Sequence, residues 1–285
     1  MPKQSHAVPN SEIASLRSAR SDIENRILVQ SRINLNNLGE HSLVLNLRKQ
    51  MSIQKDSSSS GNLSKTMVQT EKNIAVVGAG YWGKNLLRNF YELGALNCIC
   101  DNNKNRLAQT SAKYLGCKIE TNFEEILKDD EIKAVVIATP AEYHFQMALA
   151  TLQADKDVYV EKPLAVQVKE AEVLNEVAIQ KNKILMVGHL LNYHPGIVKL
   201  KNLIASNYLG RVRYIYSHRL NLGKVRREEN ILWSFAPHDI SVILNLLGQE
   251  PEIVSAMGGT YLQPNIQDVT LTTLKFASGI MAYIH

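Results

Sequence analysis

The segment that most constrains the fold of this 285-residue chain is the glycine-rich stretch at 78–83, G-A-G-Y-W-G, which fits the pattern G-x-G-x-x-G. An apolar run at 74–77 precedes it directly, and a stretch with helical spacing follows it to about Leu93. The next apolar run, at 96–100, is followed by Asp101, 23 residues after the first glycine. A strand, a glycine turn, a helix and a second strand ending at an acidic residue form the βαβ unit that binds dinucleotides. The sequence therefore predicts a dinucleotide-binding domain that begins near residue 73.

Each glycine of this stretch has a separate task in such a unit. Gly78 permits the tight turn, Gly80 lets the backbone approach a pyrophosphate, and Gly83 lets the helix pack closely on the strand. The pyrophosphate is then expected at the helix N-terminus, where free N–H groups and the helix dipole favour negative charge. Tyr81 and Trp82 belong to the same loop, so we count them among the candidate cofactor residues.

Asp101 indicates which dinucleotide the domain prefers. A carboxylate at this position accepts hydrogen bonds from the adenosine ribose hydroxyls, and its charge repels a 2′-phosphate. We therefore predict NAD as the cofactor rather than NADP. FAD, a Rossmann domain without redox chemistry, and a glycine turn without any ligand are the alternatives that these residues leave open.

Strands and helices alternate from residue 73 to about residue 190. Apolar strands are predicted at 134–137, 158–160 and 184–187, with helices at 106–114, 145–152 and 165–180. Strands that are apolar throughout and alternate with helices predict a parallel sheet covered on both faces. We therefore predict an α/β fold whose first folded part is a Rossmann dinucleotide-binding domain at 73–190.

The pattern changes after residue 190. Residues 212–220 alternate between polar and apolar, as a half-buried antiparallel strand does. A helix at 240–247 and strands at 252–257, 270–276 and 280–284 follow. These elements predict an α+β domain at 191–285 with a mainly antiparallel open sheet. Because the chain ends at His285 inside a strand-like run, we expect it to be truncated at the C-terminus.

Residues 1–72 differ in composition from the rest of the chain. They contain thirteen serines and no aromatic residue, and their ten Lys/Arg and six Asp/Glu give a net charge of +4. The remaining residues contain 22 Lys/Arg and 21 Asp/Glu, a net charge of +1. A segment with so little apolar surface cannot offset the entropy of ordering, so we expect a flexible extension. A helix at 11–28 and an organelle transit peptide are the alternatives.

Charge, hydropathy and cysteine content exclude several function classes. The positive charge is not clustered on the folded part, so we expect no nucleic-acid partner. No apolar run approaches 18 residues and no secretory signal pattern is present, so we expect a cytoplasmic protein without a membrane partner. Three cysteines are too few for a disulfide framework, and we interpret Cys98 and Cys100 as buried strand thiols.

Two further motifs follow predicted strands. The segment 138–144, A-T-P-A-E-Y-H, follows the strand at 134–137, and the segment 161–163, E-K-P, follows the strand at 158–160. Ligands of open α/β sheets bind at the carboxyl ends of the strands. The candidate cofactor residues in these two segments are Thr139, Pro140, His144, Glu161 and Lys162.

With these motifs in place, residues 73–285 resemble the glucose–fructose oxidoreductase and inositol dehydrogenase family, Gfo/Idh/MocA. The resemblance implies hydride transfer between a nicotinamide and the carbinol of a sugar or cyclitol, without a metal. It also implies a homo-oligomer. In that family the lysine of E-K-P lies near substrate and nicotinamide, so Lys162 is a candidate catalytic residue, and Pro163 follows a cis peptide bond in some relatives.

The second catalytic motif of the family is an aspartate followed four residues later by a histidine. His238 matches the histidine, whereas Ser234 stands at the aspartate position and Asp239 falls on a different helical face. An imidazole titrates near about pH 6.5, which suits proton transfer close to neutrality. We therefore predict His238 as the general acid/base.

This departure resembles the branch that oxidises C3 of UDP-N-acetylglucosaminuronate for surface polysaccharide. The candidate substrate residues are Asn192, Tyr193, Lys224, Arg226, Ser234 and His238. The two cations suit an anionic nucleotide sugar, and the amide and the phenol suit sugar hydroxyls. A free sugar or inositol dehydrogenase, and a non-catalytic nucleotide-sensing Rossmann protein, are the alternatives.

Overall fold

The computed structural model describes residues 71–220 and 230–285. These residues divide after Gly188 into two compact units, a first unit of residues 71–188 and a second unit of residues 189–220 and 230–285. The extension predicted at 1–72 lies outside the described residues except for its last two positions, and so do Lys224 and Arg226.

The first unit is built on a six-stranded parallel sheet. Its strands are β1 (Ile74–Val77), β2 (Leu96–Cys100), β3 (Lys118–Glu120), β4 (Ala134–Ile137), β5 (Asp157–Val160) and β6 (Leu185–Val187). The strand order is β3-β2-β1-β4-β5-β6, so the chain changes direction across the sheet between β1 and β4. This order confirms the predicted Rossmann domain, and its switch point is where such sheets bind ligands.

Five helices connect these strands. They are α1 (Gly83–Glu92), α2 (Lys104–Ser111), α3 (Phe123–Lys128), α4 (His144–Gln153) and α5 (Val168–Gln180). Strands β1, β2, β4 and β5 are buried at every residue, which explains why their sequences are continuous apolar runs. Leu87 and Phe90 of α1 join Ile74 and Ile99 in one buried cluster that fixes α1 against β1 and β2.

The sequence pattern does not predict β3 or α3. β3 is a three-residue edge strand without a fully buried position. α3 has six residues and begins at Asn122, whose side chain accepts a hydrogen bond from the N–H of Glu124. Both elements are too short to show a hydrophobic period.

The second unit contains a four-stranded sheet with the order β7-β10-β9-β8. Its elements are α6 (Pro195–Ala205), β7 (Tyr214–Ser217), α7 (Ile231–Leu247), β8 (Pro251–Gly259), β9 (Val269–Phe276) and β10 (Met281–Ile284). β9 pairs antiparallel with β8 and β10, whereas β7 and β10 are parallel. The predicted α+β unit is confirmed, with one parallel pair added. Ile243 of α7 packs with Leu274 and Phe276 of β9 in its core.

Two helices of this unit differ from the prediction. α7 begins at Ile231 rather than at 240, because the Asn230 side chain accepts the N–H of Trp233 at 3.0 Å and caps the helix. α6 was not predicted, since it opens with Pro195, which breaks helix interiors but suits a first turn. No helix within 71–220 or 230–285 is long and apolar enough to cross a membrane.

Candidate active site

The glycine turn after β1 is fixed by backbone contacts that exclude side chains. Gly78 has a φ of +97° and donates its N–H to the carbonyl of Cys100 at 2.8 Å. A Cβ on Gly78 would lie 2.6 Å from the carbonyl oxygen of Ala138, and a Cβ on Gly83 would overlap the carbonyl of Gly78. The turn therefore needs glycine at both positions so that α1 can start directly above the sheet.

Gly80 differs from these two glycines, because no atom of the described residues lies within 4 Å of a Cβ built on it. Internal packing therefore does not explain a glycine here. A ligand that approaches the backbone does explain it, and the position lies just before the N-terminus of α1. This open space fits the pyrophosphate of a dinucleotide.

Asp101 lies directly after β2 and is 4% exposed. Its Oδ2 accepts the N–H of Ala79 at 2.8 Å, and its Oδ1 accepts the N–H of Asn103 at 2.8 Å. The guanidinium of Arg106 lies 3.1 Å from Oδ2 and 3.3 Å from Oδ1, and its side chain is 44% exposed. Asp101 thus ties the glycine turn to β2, and its partner Arg106 was missed by the sequence reasoning because it lies on the following helix.

The two segments that follow β4 and β5 are joined by His144. This side chain is 1% exposed, and its Nδ1 and Nε2 lie 2.7 Å from the carbonyl oxygen of Pro163 and 2.9 Å from that of Thr139. Both ring nitrogens therefore face the backbone of the protein. We propose that His144, predicted as a cofactor residue, acts by fixing these two segments. Pro140 is exposed and immediately precedes the 3-10 turn Ala141–Tyr143.

The E-K-P segment begins where β5 ends. Glu161 accepts hydrogen bonds at Oε1 from the indole N–H of Trp82 at 2.8 Å and from the hydroxyl of Tyr159 at 2.9 Å. Its Oε2 lies 3.2 Å from the N–H of Lys162, and the peptide bond between Lys162 and Pro163 is cis. Tyr81, by contrast, is 93% exposed. The structure therefore brings Trp82 and Glu161 together, although they are 79 residues apart in sequence.

In the second unit, helix α7 carries the candidate catalytic histidine. Ser234 is buried and His238 is half-buried one turn later, and the carbonyl of His238 accepts the hydroxyl of Ser241 at 2.8 Å. Asp239 bonds to the hydroxyl of Ser217 at 2.7 Å and to Nε of Arg219 at 2.6 Å. Asp239 therefore holds α7 to β7 and to the residues that follow it.

A 3-10 turn, Leu190–Tyr193, packs against α7 and carries two further candidate residues, Asn192 and Tyr193. Burial raises the pKa of the Tyr193 hydroxyl, although the residue as a whole is 41% exposed. A protonated phenol of this kind can donate a hydrogen bond to a sugar oxygen. Within the second unit, the turn and α7 thus place four of the predicted substrate residues on adjoining elements.

Comparison with known proteins identifies the family. Residues 72–189 match the model described as an oxidoreductase family with an NAD-binding Rossmann fold, and residues 197–285 match the Gfo/Idh/MocA C-terminal domain. The chain belongs to the Gfo/Idh/MocA family. Its first unit is therefore an NAD-binding Rossmann domain, in agreement with the glycine turn and Asp101.

Two similar proteins and one solved structure illustrate the range of the family. UDP-N-acetylglucosamine 3-dehydrogenase of Acidithiobacillus ferrooxidans is 30% identical over 64% of this chain and 56% of its own length. Inositol 2-dehydrogenase 2 of Saccharopolyspora erythraea is 28% identical over 73% of this chain and 64% of its own. The solved structure of the UDP-N-acetylglucosamine 3-dehydrogenase GnnA from A. ferrooxidans aligns with a TM-score of 0.67 and 27% identity, over 74% of this chain and 68% of that one. The chain spans about half to two thirds of the length of the curated relatives it matches.

Proposed function

We propose that the chain belongs to an NAD-dependent dehydrogenase that oxidises C3 of a UDP-N-acetylglucosaminuronate-type nucleotide sugar, in the synthesis of surface polysaccharide. The observation that carries this proposal is Ser234, which replaces the aspartate that precedes the catalytic histidine by four residues in the common motif of the family. The 30% identity to a UDP-N-acetylglucosamine 3-dehydrogenase supports a nucleotide sugar oxidised at C3.

Bound NAD would accept the hydride from C3. The protein has to accept the hydroxyl proton and to stabilise the carbonyl group that forms. In this proposal His238 takes the proton from the C3 hydroxyl. Lys162 supplies an ammonium group, which stabilises negative charge that develops during the transfer. Asp101 receives the adenosine ribose, and the open side of Gly80 receives the pyrophosphate.

The remaining candidate residues would recognise the sugar and its phosphates. Asn192 and Tyr193 supply amide and phenol groups to the sugar hydroxyls, and Ser234 supplies a hydroxyl where an aspartate would repel an anionic uronate. Lys224 and Arg226, outside the described residues, supply charge for the diphosphate or the carboxylate.

An inositol or free-sugar dehydrogenase is the second candidate. The 28% identity to an inositol 2-dehydrogenase over 73% of this chain favours it. Both candidates use the same hydride chemistry and differ in whether the substrate carries a UDP group. A non-catalytic nucleotide-binding protein is the third, and it requires Lys162 and His238 to be without a chemical role.

The test measures formation of reduced nicotinamide by its absorbance, with UDP-N-acetylglucosaminuronate, UDP-N-acetylglucosamine and myo-inositol as separate substrates. We expect the uronate to give the highest kcat/KM. Lys162→Met should abolish turnover, whereas Lys169→Met, at an exposed position of α5, should retain it. Turnover of inositol alone would establish the second candidate. NAD binding without turnover of any substrate would favour the third.

A further inference from the structure

Trp82 and Glu161 belong to two different motifs, yet the structure joins their side chains. Trp82 lies in the glycine turn immediately before α1 and is 41% exposed. Its indole N–H donates to Oε1 of Glu161 at 2.8 Å. Because the acceptor is a carboxylate, this is a charge-assisted hydrogen bond, which is stronger than one between neutral groups.

The carboxylate of Glu161 is held from several sides. The hydroxyl of Tyr159 donates to the same oxygen at 2.9 Å, and the N–H of Lys162 lies 3.2 Å from the other oxygen. The backbone at Gly188 closes over the group, since a Cβ there would lie 2.7 Å from the Tyr159 hydroxyl and 2.9 Å from Oε1 of Glu161. Glu161 is therefore a fixed acceptor whose two oxygens both have protein donors.

We propose that Trp82, Glu161 and Tyr159 form a positioning bridge that holds the glycine turn in place for the pyrophosphate of the cofactor. The turn has to present its backbone at one position for an anion to reach it, and a bond to the end of β5 fixes that position before binding. Neither Trp82 nor Glu161 needs to touch the nicotinamide in order to act. The bridge thus reassigns two predicted cofactor residues from contact with the ligand to placement of the loop that contacts it.

Two ligands distinguish placement of the loop from direct contact. NAD and ADP-ribose share the adenosine and the pyrophosphate, and ADP-ribose lacks the nicotinamide. If the bridge places the turn, loss of the bridge lowers the affinity for NAD and for ADP-ribose by the same factor. If Glu161 instead contacts the nicotinamide half, substitution of Glu161 lowers the affinity for NAD and leaves the affinity for ADP-ribose unchanged.

The experiment is a double-mutant cycle with Trp82→Phe, Glu161→Gln and the double variant, in which Kd is measured by calorimetry for both ligands. We expect Trp82→Phe to weaken NAD and ADP-ribose equally, by roughly 10-fold, as loss of one hydrogen bond to a charged group does. The double variant should bind no more weakly than the weaker single variant, because Trp82→Phe removes the donor of the same hydrogen bond that Glu161→Gln weakens by neutralising its acceptor. The matched control is Trp233→Phe, the other tryptophan of the chain, which should leave the affinity for ADP-ribose unchanged.

A spectroscopic readout adds a test that does not depend on affinity. In the Trp233→Phe background Trp82 is the single tryptophan, so Glu161→Gln should shift its emission by removing the charge beside the indole N–H. The proposal is overturned if Trp82→Phe leaves both Kd values unchanged, if Glu161→Gln weakens NAD alone, or if the two changes add. Thermal unfolding identifies a variant that has lost its fold. If Glu161→Gln does not fold, the two Kd values of Trp82→Phe decide the question, because Trp82 is half-exposed and its substitution should not affect folding.

Discussion

We propose that Asp101 combines a structural and a recognition role in one carboxylate, and that the choice of cofactor depends on the recognition role. Its oxygens already hold the N–H groups of Ala79 and Asn103 and the guanidinium of Arg106. Asp101→Ser removes the negative charge that repels a 2′-phosphate and leaves Arg106, which can then attract one. We expect the ratio of kcat/KM for NAD over NADP to fall by roughly 10-fold or more, the value of a hydrogen bond to a charged group. Equal or better use of NADP by the unaltered protein would contradict the assignment.

His238 is the residue on which the proposed proton transfer depends. His238→Asn keeps a polar side chain of similar size on α7 and removes the titrating imidazole. We expect kcat to fall by about 10²–10⁴-fold, the usual contribution of general acid–base catalysis, while the Kd for NAD stays unchanged. Steady-state kinetics and calorimetry on one preparation give both quantities. Intact turnover would place the proton elsewhere, and lost NAD binding would make His238 structural.

Some site residues could be predicted from the sequence and others could not. Gly78, Gly80 and Asp101 were accessible because a dinucleotide loop requires those residue types at that spacing. The partners of Asp101 and Glu161 were not predicted. Arg106 lies on the helix that follows Asp101, and Tyr159 was predicted only as part of a buried strand, although strand alternation places its side chain on the same side as that of Glu161. The bond between Trp82 and Glu161, 79 residues apart, could not be predicted from a local pattern, because it depends on the folded sheet placing the segments that follow β1 and β5 at one edge.

At the scale of elements, the turn between β1 and α1 contains one glycine that the fold requires, Gly83, and one that we assign to cofactor binding, Gly80. Gly83→Ala forces a Cβ into the carbonyl of Gly78, so we expect it to destabilise the fold by several kcal/mol or to prevent folding. Gly80→Ala meets no atom of the described residues within 4 Å and should change the free energy of unfolding by less than about 0.5 kcal/mol. It should nevertheless weaken NAD binding strongly, because the new methyl group enters the space of the pyrophosphate.

Chemical denaturation and NAD titration of the two glycine variants check this contrast. If the Gly80→Ala protein binds NAD normally, the pyrophosphate does not occupy the open space beside Gly80. A Gly83→Ala protein as stable as the parent would show that α1 can move away from the turn.

Strand β2 carries two thiols whose chemistry is set by burial. Desolvation raises the pKa of Cys98 and of Cys100 to about 12 each, well above the usual value for a thiol. Because a raised pKa keeps the protonated form dominant at neutral pH, neither cysteine should act as a nucleophile. We expect a thiol reagent at pH 8 to leave both unmodified in the native chain and to modify them after unfolding. Rapid reaction of all three cysteines in the native protein would contradict this.

The elements that were predicted are those with a strong local signal. The buried strands of the first unit are continuous apolar runs, and the strands of the second unit alternate, so both types were placed within a few residues. β3, α3 and the start of α7 depend on an edge position or on capping by Asn122 and Asn230, which a hydrophobic pattern does not record.

At the scale of the whole molecule, the chain combines a Rossmann unit with an α+β unit, and these two units match the two family models. The first unit carries Lys162 and the glycine turn, and the second unit carries His238. The chain spans about half to two thirds of its curated relatives, so the proposed activity concerns the protein to which these units belong.

The most direct test of the proposed function follows the hydrogen that leaves the substrate. UDP-N-acetylglucosaminuronate with deuterium at C3 is incubated with the protein and NAD, and the reduced nicotinamide is analysed by mass spectrometry. Hydride removal at C3 predicts that the deuterium appears in the reduced nicotinamide and disappears from the sugar. Reduced nicotinamide without deuterium, formed while the label stays on the sugar, would contradict oxidation at C3.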